Sequence, residues 1–413
     1  MKHHLLPVSP ETVHWGYFSK RVAPVLTVRS GDHVTIETLT HHANDDHERM
    51  VAGDPGAESV FHWTREHKAV PRRGAGPTEG PFVHGAGEGV GVHLLTGPVV
   101  VEGAEPGDVL EVRILDVRPR PSCNGPHAGR CFGSNAAASW GFQYRDLIEE
   151  PKPREVVTIF ELDTSGEPCA RAVYNYVWTP QTDPDGVVHE TIDYPGVKVD
   201  HSLVRRREGV LANVKVPARL HFGTMGVAPA ESDFVSSIPP GYTGGNIDDW
   251  RIGKGARMYY PVAVAGAYFS VGDPHAAQGD SELGGTAIEC SLTGDFELVL
   301  HKAADLGGTI LEGLTHPLLE TDEQWSVYGF TFANYLAELG PNAQLEVAQH
   351  ASLDKAMRDA FRKLRRFLMT VHGLSEDEAI ALMSVAADFG VTQVVDGNWG
   401  VHGSIRKCMF PDR

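Results

Sequence analysis

The sequence has no apolar run as long as the roughly 18 residues that a membrane-spanning helix requires, and no apolar stretch precedes Pro7. We therefore expect neither a membrane anchor nor a secretion signal. Cysteine is also scarce: there are five, widely spaced and without a Cys-x-x-Cys pair. An odd number of isolated cysteines disfavours a disulfide scaffold and a zinc ribbon, and it predicts reduced thiols in a cytoplasmic protein.

Basic residues are outnumbered, because Lys and Arg total 36 against 54 Asp and Glu, a formal net charge of −18. This balance excludes the basic surface typical of proteins that bind nucleic acid or anionic membranes, so we expect neither as a partner. The sequence also lacks a Gly-x-Ser-x-Gly nucleophile elbow, a Walker loop and a dinucleotide fingerprint in its proper context. These absences predict that the protein uses no organic cofactor.

Apolar residues and turn formers are abundant. Hydrophobic residues make up 41% of the chain, enough for a sizeable core, while 45 Gly and 27 Pro favour many tight turns between short strands. The apolar patterns predict β-type segments at residues 22–39, 92–101, 109–117, 156–162, 172–177, 211–222, 258–269 and 285–301. Residues 119–153 are loop-like. Residues 41–90 are rich in His, Gly, Asp and Glu without apolar periodicity, which predicts a functional lid or an oligomer arm.

The C-terminal region has a helical pattern. Apolar residues recur there at three- and four-residue steps, at Leu353, Ala356, Ala360, Leu364, Phe367 and Val371. Gly373 ends this helix, and residues 375–378 form a capping box that opens a second helix through about Asp388. The predicted fold is mainly β and sandwich-like, with an α+β portion and a C-terminal helical hairpin. We divide it into a β region (1–120), a connecting β region (121–200), a region with the candidate site (201–345) and a helical segment with a closing strand (346–413).

Two glycine-rich turns could bring backbone groups to a ligand. Residues 223–229 follow an apolar segment, and Gly223 and Gly226 could aim backbone N–H groups at a ligand oxygen, as an oxyanion hole requires. The alternative is an ordinary turn at a strand end. In residues 239–249, Gly244 and Gly245 allow close approach of the backbone to a ligand.

Amide and carboxylate groups follow the second turn and crowd a third segment. Asn246 and Asp248 offer oxygens two residues apart, although Asx-type turns explain such residues equally. Residues 272–282, interpreted as a connection between strands, carry the four side chains Asp273, His275, Asp280 and Glu282. Carboxylates this close repel one another unless a cation lies among them, so a divalent metal site on His275, Asp280 and Glu282 is one interpretation. A solvated acidic loop is the other.

Three further candidates are treated as ordinary residues. Glu289 lies in the middle of a strand, where a surface-facing position is the default and a buried general base the alternative. The adjacent His41 and His42 are taken as incidental because no scaffold fixes their geometry. Cys290 has no local histidine to generate a thiolate, so we do not expect it to be a nucleophile.

Several long motifs, taken in order, resemble the acetamidase/formamidase family. They are residues 96–110 (TGPVVVEGAEPGDVL), 222–229 (FGTMGVAP), 244–248 (GGNID), 271–280 (VGDPHAAQGD) and 384–395, with AADF and QVV. The resemblance extends from about residue 10 to the end of the chain. It departs from the family at residues 279–282, where Gly-Asp-Ser-Glu replaces the common Gly-Asp-Gly-Glu, and in the long insertions at 41–90 and 119–153.

The resemblance implies hydrolysis of a short linear amide, of the formamide or acetamide type, to ammonia and a carboxylate. It also implies a homo-oligomer and a polar site that gathers Asn246, Asp248, Asp273, His275, Asp280 and Glu282 near Gly244 and Gly245. In our hypothesis, Glu282 or Asp273 is the general base, His275 holds zinc or calcium or helps to activate water, and the glycine turns stabilise the oxyanion. The alternatives are an amidase for a bulkier amide and a non-catalytic protein that binds a metal or a carboxamide.

Overall fold

The computed structural model describes residues 1–66, 91–149, 154–192 and 196–411. The strands in these ranges are β1 (His3–Leu6), β2 (Val13–Trp15), β3 (Tyr17–Ser19), β4 (Leu26–Val28), β5 (Asp32–Glu37), β6 (Leu94–Val101), β7 (Val109–Pro119), β8 (Cys131–Ala137), β9 (Val156–Asp163), β10 (Cys169–Val177), β11 (Gln181–Thr182), β12 (Val188–His189), β13 (Arg207–Glu208), β14 (Val216–Pro217), β15 (His221–Gly226), β16 (Phe234–Ser236), β17 (Gly244–Asn246), β18 (Arg257–Pro261), β19 (Phe269–Ala277), β20 (Ile288–Glu289), β21 (Leu292–His301), β22 (Leu318–Glu320), β23 (Gln324–Phe330), β24 (Asp388–Gln393) and β25 (Gly400–Arg406). The α-helices are α1 (His47–Met50), α2 (Pro55–Phe61), α3 (Tyr335–Leu339), α4 (Ala343–Glu346), α5 (Leu353–His372) and α6 (Glu376–Ala386).

Two large sheets form the body of the molecule. The first has the order β1-β5-β21-β7-β18-β22-β23-β25-β24. The second runs β13-β10-β9-β8-β20-β19-β15-β17, with β14 beside β10 and with β6 joining β19 to β2 and β4. The sheets pack face to face, because one apolar cluster contains Val34 and Phe296 of the first together with Phe222 and Val271 of the second. This confirms the predicted mainly β, sandwich-like fold.

The C-terminal hairpin covers the outer side of the first sheet. Helix α5 begins after its cap Ser352 and ends at Gly373, whose φ of 67° is left-handed. Its buried residues include all the apolar positions predicted after Leu353. Those from Leu364 onwards pack with Trp325 of β23 and Ile405 of β25, and the two alanines pack with Val401 of β25. Helix α6 starts in a capping box in which Ser375 and Glu378 each bond the other's backbone. Among the described residues, no helix has the length and apolarity required to cross a bilayer.

Three predictions about individual segments are wrong. Residues 119–153 are not loop throughout, because β8 lies within them; its small residues are buried on both faces and give no alternating pattern. Residues 211–222 form only β14 and the start of β15. Residues 272–282 are not simply a connection, because β19 extends through Ala277 with all nine residues buried. A strand covered on both sides lacks the alternation by which sequence identifies strands.

Residues 41–66 are ordered parts of the fold. They contain α1, α2 and a short 3-10 helix, Ala43–Asp46, whose four residues are buried. Asp54 caps α2 by accepting hydrogen bonds from Gly56 and Ala57, and Val60 and Phe61 pack against Trp15. This first half of the predicted lid or arm is therefore a fixed wall of the molecule. The remainder, residues 67–90, lies outside the described residues.

We expect His316 to make folding sensitive to acid. It is buried beside α5, and burial together with nearby Lys363 lowers its pKa from 6.5 to about 3. The folded protein therefore keeps this imidazole neutral where the unfolded chain protonates it, so stability falls as pH drops below 6.5. At pH 5 the loss is about 2 kcal/mol. The free energy of unfolding in urea should fall between pH 7.5 and pH 5 by about 2 kcal/mol less in His316→Gln than in the unaltered protein. An equal difference in both proteins would contradict this assignment.

Candidate active site

A cavity of about 310 Å³ opens beside the middle of the second sheet. Its polar lining comprises three histidines, one asparagine and six carboxylates: His41, His42, His93, Asn246, Asp45, Asp248, Asp273, Glu282, Glu289 and Asp396. Each of these side chains is less than a tenth exposed. Charged groups are rarely buried without partners or a function. This concentration of titratable groups therefore marks the cavity as the candidate site.

Adjacent strands bring the three predicted segments together. Thr224 of β15 pairs with Asn246 of β17 on one side and with Gly272 of β19 on the other. On the far side of β19, His275 lies opposite Glu289 of β20. Residues far apart in sequence thus become neighbours across a few strand spacings. Glu289 is only 2% exposed, so the default expectation of a surface-facing position is wrong.

Three of the carboxylates lie on strained backbone. Asp248, Asp273 and Glu282 have φ values of 54°, 51° and 48°, in the left-handed region. A residue other than glycine held there costs of the order of 1–3 kcal/mol, and such residues concentrate at functional sites. The strain turns these side chains towards one another at the cavity, which supports a role in function and not only in folding.

The carboxylates differ in their affinity for protons. Burial, reinforced by the negative charge of Asp273, raises the pKa of Asp248 to about 7. Burial and the charge of Asp248 likewise raise the pKa of Glu282 well above its usual range. Burial would also raise the pKa of Asp273, but His93 and His275 outweigh it and hold that pKa low. The site therefore combines one carboxylate that stays ionised with two whose pKa is raised, that of Asp248 to about 7.

A chain of hydrogen bonds orients His275. Nδ1 of His221 lies 2.5 Å from the carbonyl oxygen of Arg219 and must donate to it, because a carbonyl only accepts. Burial lowers the pKa of His221 to about 4, so the ring is neutral and its Nε2 carries a lone pair. Nδ1 of His275 is then the donor shared by that Nε2, at 3.1 Å, and by Oε1 of Gln278, at 3.2 Å, two acceptors that lie 3.1 Å from each other. This chain of hydrogen bonds, the His221–His275 relay, leaves Nε2 of His275 facing the carboxylates.

Nε2 of His275 lies 3.1 Å from Oε1 of Glu289 and 3.3 Å from Oδ2 of Asp273. Burial alone would lower the pKa of His275, but these two carboxylates outweigh it and raise the pKa well above 6.5. The imidazole can therefore be protonated between the carboxylates, or its lone pair can bind a cation in the same place.

Histidines from other parts of the chain complete the cluster. Nδ1 of His41 lies 3.8 Å from Oδ1 of Asp273, and Nε2 of His93 lies 3.6 Å from its Oδ2. His42 contacts Asp45 at 2.9 Å. The interpretation of His41 and His42 as incidental residues without a scaffold is wrong. The buried 3-10 helix that follows them fixes their position.

Four overlapping sets of three side chains have ligand atoms within 4.8 Å of one another. The sets are His41, His93 and Asp273; Asp248, Asp273 and His275; His275, Glu282 and Glu289; and Asp248, Glu282 and Asp396. Several of these atoms are buried without a hydrogen-bond partner in the described part of the chain, among them Oδ1 of Asp248 and Oδ1 of Asp273. Buried polar atoms without partners are rare, and a bound ion is a common reason for them.

Asp280 does not belong to the cluster. Its Oδ1 accepts hydrogen bonds from Nε1 of Trp250, at 2.8 Å, and from Arg251, at 3.1 Å, and its side chain is 46% exposed. The prediction of Asp280 as a metal ligand beside His275 and Glu282 is therefore contradicted by its position. The cause is the end of β19 at Ala277, after which the chain turns and Arg251 attracts the carboxylate outwards.

The predicted glycine residues also lie elsewhere. Gly226, Gly244 and Gly245 belong to paired strands, whose amides bond neighbouring strands, and they do not line the cavity. Gly223 lies beneath the carboxylates: a Cβ there would come within 2.3 Å of Oδ1 of Asp248 and 2.6 Å of Oδ2 of Asp273. The predicted placement of these backbone amides around a substrate is thus not found, and Gly223 instead provides space for the cluster.

Sequence reasoning missed His93 and Asp396. His93 directly precedes β6, which pairs with β19 and so brings the imidazole to Asp273. Asp396 follows β24, whose Thr392 accepts a hydrogen bond from the amide of Ser281 next to Glu282. Both placements depend on pairing between distant segments, and neither residue has a local motif that marks it. Cys290 is fully buried, and burial raises its pKa, which agrees with the expectation that it is no nucleophile.

The relay predicts that His221 positions His275. His221→Phe removes the acceptor for Nδ1 of His275 and should lower kcat/KM for the site's reaction by roughly 10- to 100-fold, as for other partners of site histidines. His221→Gln keeps an acceptor and should recover part of this loss. Steady-state kinetics, with thermal unfolding to exclude a folding defect, test the point. Equal activity in the Phe variant and the unaltered protein would contradict the assigned role.

Comparison with known proteins identifies the family of the chain. The model of the "Acetamidase/Formamidase family" matches residues 90–234 and 231–402. Acetamidase from Mycolicibacterium smegmatis is 32% identical over 207 residues, 46% of this chain and 49% of that protein, so the match spans about half of that relative's length. Formamidase from Methylophilus methylotrophus is 26% identical over 336 residues, 74% of each chain.

A crystal structure of acetamidase from Bacillus Halodurans shares the fold, with a TM-score of 0.63 and 21% identity over 98% of each chain. The family match covers most of the sequence and includes the strands that carry Asn246, Asp273 and His275. The chain therefore belongs to the acetamidase/formamidase family.

Proposed function

We propose that the protein hydrolyses the C–N bond of a linear carboxamide, with formamide and acetamide as the smallest substrates, and releases ammonia and a carboxylate. The observation that carries this proposal is the buried pair of Asp248 and Glu282. Their carboxylates lie together in the cavity that Asn246 also lines, and burial raises the pKa of both, that of Asp248 to about 7. The similar acetamidase and formamidase support it.

Amide hydrolysis needs a base and an acid in turn. The water oxygen bonds to the carbonyl carbon while one carboxylate of the Asp248–Glu282 pair takes the water's proton. The C–N bond then breaks, and the nitrogen leaves as ammonia with a proton returned by the pair. Because the two carboxylates interact strongly, they titrate as a unit, and one proton shared between them suits both steps. Asp273 is a poorer base than Glu282, because His93 and His275 keep its pKa low.

Asn246 is our candidate for stabilising the oxygen that gains charge. Its side chain lines the cavity, and its Oδ1 accepts a hydrogen bond from Oγ1 of Thr224 at 2.5 Å. That bond orients the carboxamide, so its Nδ2 can donate to the substrate oxygen. This side chain replaces the backbone amides of the glycine turns in the mechanism, since those amides serve the sheet.

The residues fit a divalent cation. His41, His93 and Asp273 offer the mixed nitrogen and oxygen ligands that zinc accepts, whereas Asp248, Glu282 and Asp396 offer the oxygen ligands that calcium prefers. A bound cation would polarise the carbonyl or lower the pKa of water. Ligand atoms of His275 and Glu282 lie in one candidate set with Glu289, which supports a role for these two side chains in holding such an ion.

The central test is Glu282→Gln, which keeps the shape of the side chain and removes its proton exchange. Ammonia release from acetamide should fall by at least about 100-fold, the lower range for loss of an acid–base group. His275→Ala should likewise abolish release while the melting temperature shows a folded protein. Asp280→Asn is the matched control: it alters a nearby carboxylate that faces Arg251, and activity should persist.

Unchanged turnover in both Glu282→Gln and His275→Ala would remove the site from the reaction. Assays with a chelator, followed by addition of zinc or calcium, test the cation separately. Thermal stabilisation by a metal ion with no release of ammonia from any amide would indicate a binding protein and not an amidase.

We also propose that the protein works in the cytoplasm as a homo-oligomer. The cysteines Cys123, Cys131, Cys169, Cys290 and Cys408 are free thiols, which suits a reducing compartment. Subunit assembly rests on the family resemblance, and sedimentation of the purified protein measures it.

A further inference from the structure

The cavity is larger than the smallest amides need. Its volume of about 310 Å³ lies at the lower end of the roughly 300–1,000 Å³ found for pockets that enclose drug-sized ligands. Formamide or acetamide would occupy the polar end and leave much of this space unfilled. Because unfilled apolar space forgoes contacts that binding could use, the rest of the cavity is informative about the substrate.

Most of the remaining lining is apolar, and it comes from the connections between strands. The apolar side chains are Val92, Trp140, Trp178, Ile192, Val197, Ile238 and Val395. None of them belongs to a strand, whereas Asn246, Asp273 and Glu289 do. The strands therefore supply part of the polar lining, whereas these apolar side chains all come from segments outside the strands.

The two tryptophans are fixed with their carbon faces available. Nε1 of Trp140 donates to the carbonyl oxygen of Gly285 at 2.8 Å, and Nε1 of Trp178 donates to that of His189 at 3.2 Å. With their only polar atoms occupied, both rings can offer only apolar surface to a ligand. Trp140 can occupy this position only because residue 285 is a glycine: its φ is 117°, and a Cβ there would lie 2.7 Å from Nε1 of Trp140.

The charge of the cavity limits the ligand further. Among the described residues that line it there is no lysine or arginine, whereas six carboxylates do line it. A substrate that carries its own carboxylate would meet these like charges, while the histidines that line the cavity already contact carboxylates of the protein. The apolar lining therefore suits a neutral acyl group.

We infer that the substrate is a neutral primary carboxamide with an aryl or arylalkyl acyl group, whose ring lies between Trp140 and Trp178 while its amide reaches Asn246 and Glu282. This inference rests on the proposed function and specifies its substrate. The reaction is unchanged: water adds to the carbonyl carbon, the C–N bond breaks, and an aryl-substituted carboxylate and ammonia leave.

The test compares phenylacetamide with acetamide in the full-length protein. We expect kcat/KM for phenylacetamide to exceed that for acetamide by at least roughly tenfold, since each extra apolar contact in a fitted pocket contributes about that factor. Trp140→Ala, which alters a side chain that is 38% exposed, should reduce this preference severalfold. Trp178→Leu gives the same test from the other ring. Leu203→Ala, on an exposed side chain outside the cavity, should leave the ratio unchanged.

Binding separates the two possible failures. Quenching of tryptophan fluorescence by phenylacetamide reports occupancy whether or not turnover follows. Hydrolysis of acetamide with an equal or lower kcat/KM for phenylacetamide would overturn this inference and leave the proposed function intact. Saturable binding of phenylacetamide with no ammonia from either amide would overturn the proposed function, and with it the assignment of a substrate. A preference that both tryptophan variants retain would also overturn the inference, because the ring would then lie elsewhere.

Discussion

The confinement of several buried carboxylates among imidazoles is the constraint on which the rest of this structure depends. A charged side chain in such a place is costly unless opposite charge or a hydrogen bond compensates for it. Asp273 receives that compensation from His93 and His275. At Asp248 and Glu282 the charge of His275 does not outweigh burial and the neighbouring carboxylates, so their proton affinity rises instead. Both the proposed proton transfers and the candidate cation sites follow from this one imbalance.

Holding such a cluster together requires a rigid support. The strands β17, β15, β19 and β20 lie side by side, and the first sheet packs against them through a shared apolar core. Gly223 leaves room for the side chains above it, and His221 with Gln278 fixes the ring of His275 from behind. The left-handed backbone at three carboxylates is tolerated because the surrounding sheet over-determines it.

Local patterns in the sequence were sufficient to identify part of this arrangement. Asn246, Asp248, Asp273 and His275 stand out because carboxylates and an imidazole occur next to glycine and proline, and the helices have clear caps. The pattern could not show that β19 is a strand, since its buried faces hide the alternation. Nor could it place His93 or Asp396, because distant strand pairs determine their positions. Asp280 shows the converse: proximity in sequence did not mean proximity in space.

The division of the cavity between sheet and connections has an evolutionary consequence. Strand residues such as Asp273 are tied to neighbours on both sides, so a change there disturbs the reactive groups directly. Trp140 and Trp178 lie outside the strands, so their segments are not paired with a neighbouring strand on both sides. Enzymes that descend from one ancestor could therefore acquire different substrate specificities by changes in these segments, while the residues that cleave the C–N bond are inherited unchanged.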